Sequence, residues 1–234
     1  MLVFSHRGRA GRAADRIDPA NRPPDNTLAA FERAAAVGVD GIETDVRLSR
    51  EGEAVLFHDR HAPNGREVAA LSRAELSAAA GYPVPTLDEA LDLLPGLLWN
   101  VEIKAPAALA RTLAVVGQRA AAGRRFLVTS FWHSLIDPFT RFPGVESGFL
   151  FASRPTGFEA FSIHFPHDGR IWSAVWHFEV LDPDLLDQIA ALGIRNYVYG
   201  VESPDEHRLC QTLPLAGVIT DHPELLLPGP GKGM

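Results

Sequence analysis

Residues 41–59 read GIETDVRLSREGEAVLFHD, and the way this stretch is divided decides the fold. Gly41-Ile42-Glu43-Thr44-Asp45-Val46 alternates apolar and polar residues. That is the period of a β-strand, in which side chains two apart share a face. Glu43 and Asp45 therefore point the same way. Ser49-Arg50-Glu51-Gly52 reads as a turn. Ala54-Val55-Leu56-Phe57 is a second apolar strand that runs into His58-Asp59. Two carboxylates on one face and a histidine at the next strand end are the parts of a metal site with an acid–base partner. Taken alone, Glu43 and Asp45 read better as solvated acids on an edge strand. The rest of the chain changes that balance.

Upstream, Leu2 to Ser5 is a short buried strand ending at His6-Arg7-Gly8. The loop from Arg9 to Pro24 carries Arg9, Arg12, Arg16 and Arg22, which read as a solvated face. Asp25-Asn26-Thr27 caps a helix that Gly38 ends. Downstream, residues 61–83 form an irregular connection with one short helix, Arg73 to Ala80. A helix capped by Thr86 follows. The strand from Leu97 to Lys104 then sets Asn100, Glu102 and Lys104 on one face. Further strands are expected at 126–129, 147–151, 171–176, 196–199 and 217–220. The helices between them fall at 107–122, 133–141, 183–192 and 204–213, and residues 223–227 form a last turn. Residues 154–170 give no clear pattern. The Pro/Gly-rich tail, 228–234, reads as flexible.

Strands and helices alternate almost throughout, which predicts a parallel sheet covered by helices. No Gly-rich phosphate loop follows the first strand, which disfavours a dinucleotide fold. Eight or nine strands in 234 residues suit a single α/β domain over 1–227, an irregular (β/α)8 TIM barrel with its active site at the C-terminal strand ends. Hydrophobic residues make up 46% of the chain and charged residues 22%, ordinary values for a globular protein. The net charge of −7 disfavours nucleic-acid binding. The one cysteine, Cys210, implies no oxidising compartment and reads as a small residue on the apolar side of a helix. No apolar run is long enough to span a bilayer and no signal segment precedes the first strand, so a cytoplasmic location is expected.

The polar clusters sort onto strand exits: His6 and Arg7 on one, Glu43 and Asp45 on another, His58 on a third, Glu102 and Lys104 on a fourth. Glu43, Asp45 and Glu102 offer only oxygen, which suits one hard divalent cation, Mg²⁺ or Ca²⁺. Arg7 grips paired phosphate oxygens and Lys104 adds a point charge, so a phosphate group is the expected ligand. His6 and His58 supply proton transfers, with the two roles unassigned.

These motifs, with Ser130-Phe131 and Gly217-Val218-Ile219-Thr220-Asp221, occur in an order that resembles the glycerophosphodiester phosphodiesterase family over almost the whole chain. The resemblance implies an irregular TIM barrel that hydrolyses a small-molecule glycerophosphodiester to an alcohol and sn-glycerol 3-phosphate. It implies His6 and His58 as the acid–base pair and Glu43, Asp45 and Glu102 as the metal ligands. Arg7 and Lys104 would bind phosphate. The glycerol 2-hydroxyl would attack first, giving a cyclic phosphate that water opens. Asp59 would position the His58 loop. The chain departs from the family at Asp25, usually Glu, in the compressed connection at about 60–85, and at Tyr199-Gly200-Val201-Glu202, usually Trp-Thr-Val-Asn. Tyr199 retains an aromatic for the substrate's carbon chain, and Phe131 and Trp132 are candidate pocket walls. His177 reads as a satisfied histidine or a lining residue, and Asp221 as a cap of the last turn. A lysophospholipid-like substrate and a non-catalytic phospho-ligand barrel are the alternatives.

Overall fold

The computed structural model describes residues 1–11, 22–154 and 172–227. Its strands are β1 (Leu2–His6), β2 (Gly41–Leu48), β3 (Ala54–Leu56), β4 (Leu98–Ile103), β5 (Phe126–Ser130), β6 (Val145–Phe151), β7 (Trp172–His177), β8 (Arg195–Val201) and β9 (Gly217–Thr220). All except β3 pair in parallel in the order β1-β9-β8-β7-β6-β5-β4-β2, and β1 pairs with β2 to close the ring. This is the expected eight-stranded parallel barrel.

Strand alternation builds two cores. Outward residues such as Ile42, Val46, Trp99, Val101, Val128 and Val218 pack under the helices. Helix α1 (Leu28–Val37) is capped by Thr27, whose side chain accepts from the Ala30 N–H, and closed by Gly38 at φ 91°. It sets Phe31 edge-on to Trp99 at 5.1 Å. Each such side chain, fully buried, contributes roughly 1.5–3 kcal/mol. Inward residues Phe4, Leu127, Leu150, Val175, Tyr197 and Ile219 fill the barrel itself. A Cβ at position 41 would lie 2.6 Å from the Phe4 ring and from the Leu98 carbonyl oxygen. Glycine there is what lets Phe4 occupy the barrel. Because side chains fill the middle, open space remains above them, at the strands' C-terminal ends.

Helix α2 (Arg73–Ala80) lies where expected and carries a full capping box between Ser72 and Glu75. Leu76 of α2 joins Val55, Phe57, Ala62, Val68, Leu71 and Val84 in a small satellite core under the 60–85 connection. Cys210 is buried, and burial pushes its thiol up to about 11. No described helix is long and apolar enough to cross a membrane.

Two expectations need correction. Residues 133–141 form two 3₁₀ turns, His133–Leu135 and Asp137–Arg141. Pro138 has no N–H for an α-helical bond, and Phe139 and Phe142 donate only three residues back. Strand β3 is not a barrel stave. It runs antiparallel to the end of β2, with Val46 opposite Leu56 and Leu48 opposite Ala54. Arg12, Arg16, most of the 154–170 stretch and the 228–234 tail lie outside the described residues.

Candidate active site

Register aligns the inward side chains at one height. His6 stands opposite Glu43 across β1 and β2, and Asp45 opposite Glu102 across β2 and β4. Oxygens of Glu43, Asp45 and Glu102 lie within 4.8 Å of one another. Glu43 is 3% exposed and Asp45 0%, so the reading of solvated edge acids fails. Strand β2 has β1 on one side and β4 on the other, and both residues face the barrel.

Such a cluster repels itself. Arg7 Nε lies 3.0 Å from Asp45 Oδ2. Lys104 Nζ lies 2.7 Å from Glu102 Oε1 and 3.4 Å from Asp45 Oδ1. Asn26 Nδ2 donates to Asp45 Oδ2 at 2.9 Å, and its own oxygen accepts from Thr44 Oγ1. Burial raises Asp45, yet Lys104 and Arg7 outweigh it and hold the carboxyl below its usual range. Glu43 has less help. Burial first, then Asp45 and Glu102, push it well above the ordinary carboxylate range. Burial and Asp45 also raise Glu102. Glu43 Oε1 and Asp45 Oδ1 are buried without a hydrogen-bond donor. An all-oxygen set of three carboxylates, with two buried oxygens that lack a hydrogen-bond donor and two cations beside it, fits a hard divalent ion.

The histidines flank this cluster. His6 Nε2 is 3.9 Å from Glu43 Oε2, and its Nδ1 is 2.6 Å from Asp221 Oδ1. His58 reaches the mouth by a different route from the one expected. Strand β2 runs on past the barrel rim, and antiparallel β3 brings the chain back down. The Phe57 N–H donates to the Asp45 carbonyl at 3.0 Å, and Arg47 Nε to the His58 carbonyl at 2.8 Å. These two bonds return His58 to the rim. Its Nδ1 lies 2.8 Å from Asp59 Oδ1. Burial lowers the His58 pKa, against the pull of Asp45.

Above the cluster opens a cavity of about 500 Å³. Phe131, Leu150, Tyr199 and Ile219 form its apolar wall. Phe131 and Tyr199 meet edge-on at 6.2 Å. His177 lines it too, with Nδ1 accepting from the Glu179 N–H at 3.3 Å. Gly200 makes this arrangement possible. Its φ is +72°, and a Cβ there would lie 2.7 Å from His177 Nε2. Glu202 also lines the cavity, whereas Trp132, 56% exposed, is not part of the wall.

Sequence reading missed three neighbours of this site. Asp221 is not a cap: the last turn, Pro223–Leu225, has no side-chain cap bond. Arg9 is not a solvated arginine. Its Nη1 pairs with Asp221, and its Nε donates to both Asp25 oxygens at 2.9 Å. Asn26 adopts φ 59° beside Asp45 instead of serving only the helix start. All three lie outside the strands and helices, where no periodic pattern marks them. Asp25 pairs with Arg9 and Arg22 and stays outside the carboxylate cluster.

The His6-Arg7-Gly8 turn depends on its glycine. Gly8 sits at φ +78°, and a Cβ there would lie 2.9 Å from Ala30 and from Phe31 Cδ1. Gly8→Ala is expected to destabilise the protein by about 2–4 kcal/mol, from left-handed strain plus overpacking. Urea denaturation measures it, and an unchanged midpoint would refute the packing argument.

The Glycerophosphoryl diester phosphodiesterase family matches residues 6–125 and 145–225. A Mycobacterium tuberculosis protein named probable glycerophosphodiester phosphodiesterase 2 is 31% identical over 224 residues, covering 88% of this chain and 84% of that protein. The structure of a glycerophosphodiester phosphodiesterase from Thermotoga maritima superposes with a TM-score of 0.77 at 25% identity, covering 97% of this chain and 96% of that one. An Oleispira antarctica phosphodiesterase, solved in complex with the product sn-glycerol-3-phosphate, shares the fold with a TM-score of 0.78 at 22% identity, covering 96% and 94% of the two chains.

Proposed function

The chain belongs to the Glycerophosphoryl diester phosphodiesterase family, and on that footing we propose that it hydrolyses glycerophosphodiesters to an alcohol and sn-glycerol 3-phosphate. The observation that carries this reading is one mouth holding two buried carboxylates and one half-buried one, two of their oxygens without a hydrogen-bond donor, between two histidines that each rest on a carboxylate. The names of the relatives and the product bound by the Oleispira protein support it.

Glu43, Asp45 and Glu102 would hold one divalent cation, Mg²⁺ or Ca²⁺, which would supply positive charge to offset the negative charge that builds on the phosphoryl group in the transition state. Arg7 and Lys104 stand on the same rim and donate to those oxygens. His58, its pKa lowered by burial, is neutral at pH 7 and takes the proton of the glycerol 2-hydroxyl as that oxygen attacks phosphorus. His6 gives a proton to the departing alcohol. The cyclic phosphate is then opened by water, with the two histidines exchanging roles. The apolar wall of Phe131 and Tyr199 lies against the carbon chain of the substrate.

Purified protein is incubated with glycerophosphocholine after EDTA treatment, Mg²⁺ or Ca²⁺ is restored, and sn-glycerol 3-phosphate is assayed. Metal-restored release is expected, absent in Glu43→Ala. No release with either ion overturns the reading. A second reading, a lysophospholipid-like diester, draws on the apolar wall. It predicts faster turnover of long-chain diesters than of glycerophosphocholine. A phospho-ligand binder without turnover has no use for two carboxylate-held histidines.

A further inference from the structure

The connection from His6 to Arg9 is not used by the reaction as drawn above. His6 ends β1, and Asp221 follows β9, its neighbour in the barrel, where Ser5 pairs with Thr220. The next step along both strands therefore sets His6 beside Asp221. The contact is short, 2.6 Å from Nδ1 to Oδ1. A carboxylate accepts only, so the Nδ1 position carries the proton and Nε2 is left toward the cluster. Asp221 cannot swing away. Arg9 Nη1 holds its second oxygen. Arg9 in turn is clamped on Asp25, with Nε 2.9 Å from both carboxylate oxygens and Nη2 2.5 Å from Oδ2. Arg22 Nη2 reaches the same carboxylate at 3.2 Å. The result is a chain of contacts, Asp25 to Arg9 to Asp221 to His6, that starts two residues before the α1 cap, Thr27, and ends at a proton carrier.

We propose that Asp221, braced by Arg9 and Asp25, is a positioning residue that sets the tautomer and the heading of His6 for the phosphodiester reaction. The proposal rests on the function inferred above for its kinetic consequence, and on geometry alone for its effect on the ring. Burial opposes the charged carboxylate of Asp221, and the contacts with His6 and Arg9 more than offset this, holding it below its usual range. Asp221 is therefore an acceptor at and above the ordinary carboxylate range. Arg9 thus grips Asp25 and Asp221 at once.

The test has two readouts. In ¹⁵N-resolved NMR of the histidine rings, wild-type His6 is expected as the Nδ1–H form whenever neutral. In Asp221→Ala the signal should move to the Nε2–H form or to a mixture. Kinetically, Asp221→Ala is expected to lower kcat by roughly 10²-fold, the low end of what an aligned acid–base group contributes, with KM changed less than about threefold. Asp221→Glu should recover part of the loss. Arg9→Met should lower kcat less, and the double variant should be no worse than Asp221→Ala alone, because both act through one ring. An unchanged His6 tautomer in Asp221→Ala overturns the proposal, as does a change confined to KM. Multiplicative losses in the double variant overturn the role of Arg9. If wild type releases no sn-glycerol 3-phosphate, the functional reading fails, and the tautomer still decides the positioning claim. Thermal melts of each variant identify one that has not folded; in that case Asp221→Asn, the isosteric change, is read instead, with the same outcomes.

Discussion

Removing divalent cations with EDTA is expected to lower the Tm by about 5–10 °C, and Glu43→Gln is expected to erase that difference. A ligand at a hundred times its Kd stabilises by about 2.7 kcal/mol, and in a chain of this size each kcal/mol moves Tm by roughly 2–4 °C. The source is the carboxylate cluster. Two buried acids and the half-buried Glu102 share the contacts of Arg7 and Lys104, and Glu43 keeps an oxygen with no donor. Glu43→Gln removes the least compensated charge, so the cation-free variant should melt at or above cation-free wild type. The pH dependence has a definite sign. Glu43 is raised in the fold by burial and by its neighbours Asp45 and Glu102. Its contribution is complete below the unfolded carboxylate pKa and is lost as pH rises through the raised folded value. Measured against Glu43→Gln, the stability of EDTA-treated protein should therefore fall as pH rises above the unfolded carboxylate range, while the loaded protein changes less. Calorimetry across that range checks it. A gap that closes with rising pH would sink the metal assignment.

His6→Ala and His58→Ala should each reduce kcat by about 10²–10⁴-fold. The double variant should lose far less than the product of the two, since an acid and a base that act on one proton inventory form a unit. Both rings sit on carboxylates, at 2.6 Å for His6 and 2.8 Å for His58, so alanine removes an aligned proton carrier and not a loose side chain. Melting should change little for His58, which lies on the rim. In wild type, kcat/KM should rise with pH through a value below the ordinary imidazole range, because burial lowers His58. That limb should vanish in His58→Ala. A variant that keeps more than a tenth of wild-type kcat would remove its histidine from the mechanism.

The barrel and most of its site were legible because both rest on period two. Once Glu43, Asp45, Glu102 and Lys104 are read as every second residue of adjacent parallel strands, their convergence follows. Phe4, Leu127 and Ile219 obey the same alternation from inside the barrel. Where a contact depended on a residue outside any regular pattern, the sequence was silent. Arg9 looks like one of four loop arginines until Asp25 and Asp221 are seen on either side of it. Asp221 looks like a cap because the residues that follow it form a turn.

The position of His58 marks the division most clearly. Its residue type and the apolar run before it were enough to select it, because chemistry at a strand end needs no distant partner to be recognised. Its route to the mouth was not written locally. Whether β3 becomes a barrel stave or a hairpin arm depends on which strand takes the free edge of β2, and β4 takes it through six paired residues. Hydrogen bonds between strands far apart in sequence made that choice. The sequence by itself determined the alternation of strands and helices, the carboxylate faces and the two histidines, all consequences of local period and side-chain type. Only the tertiary structure decided strand order, the return of His58 and the Asp25–Arg9–Asp221 brace on His6, because each depends on which distant segments come to lie side by side.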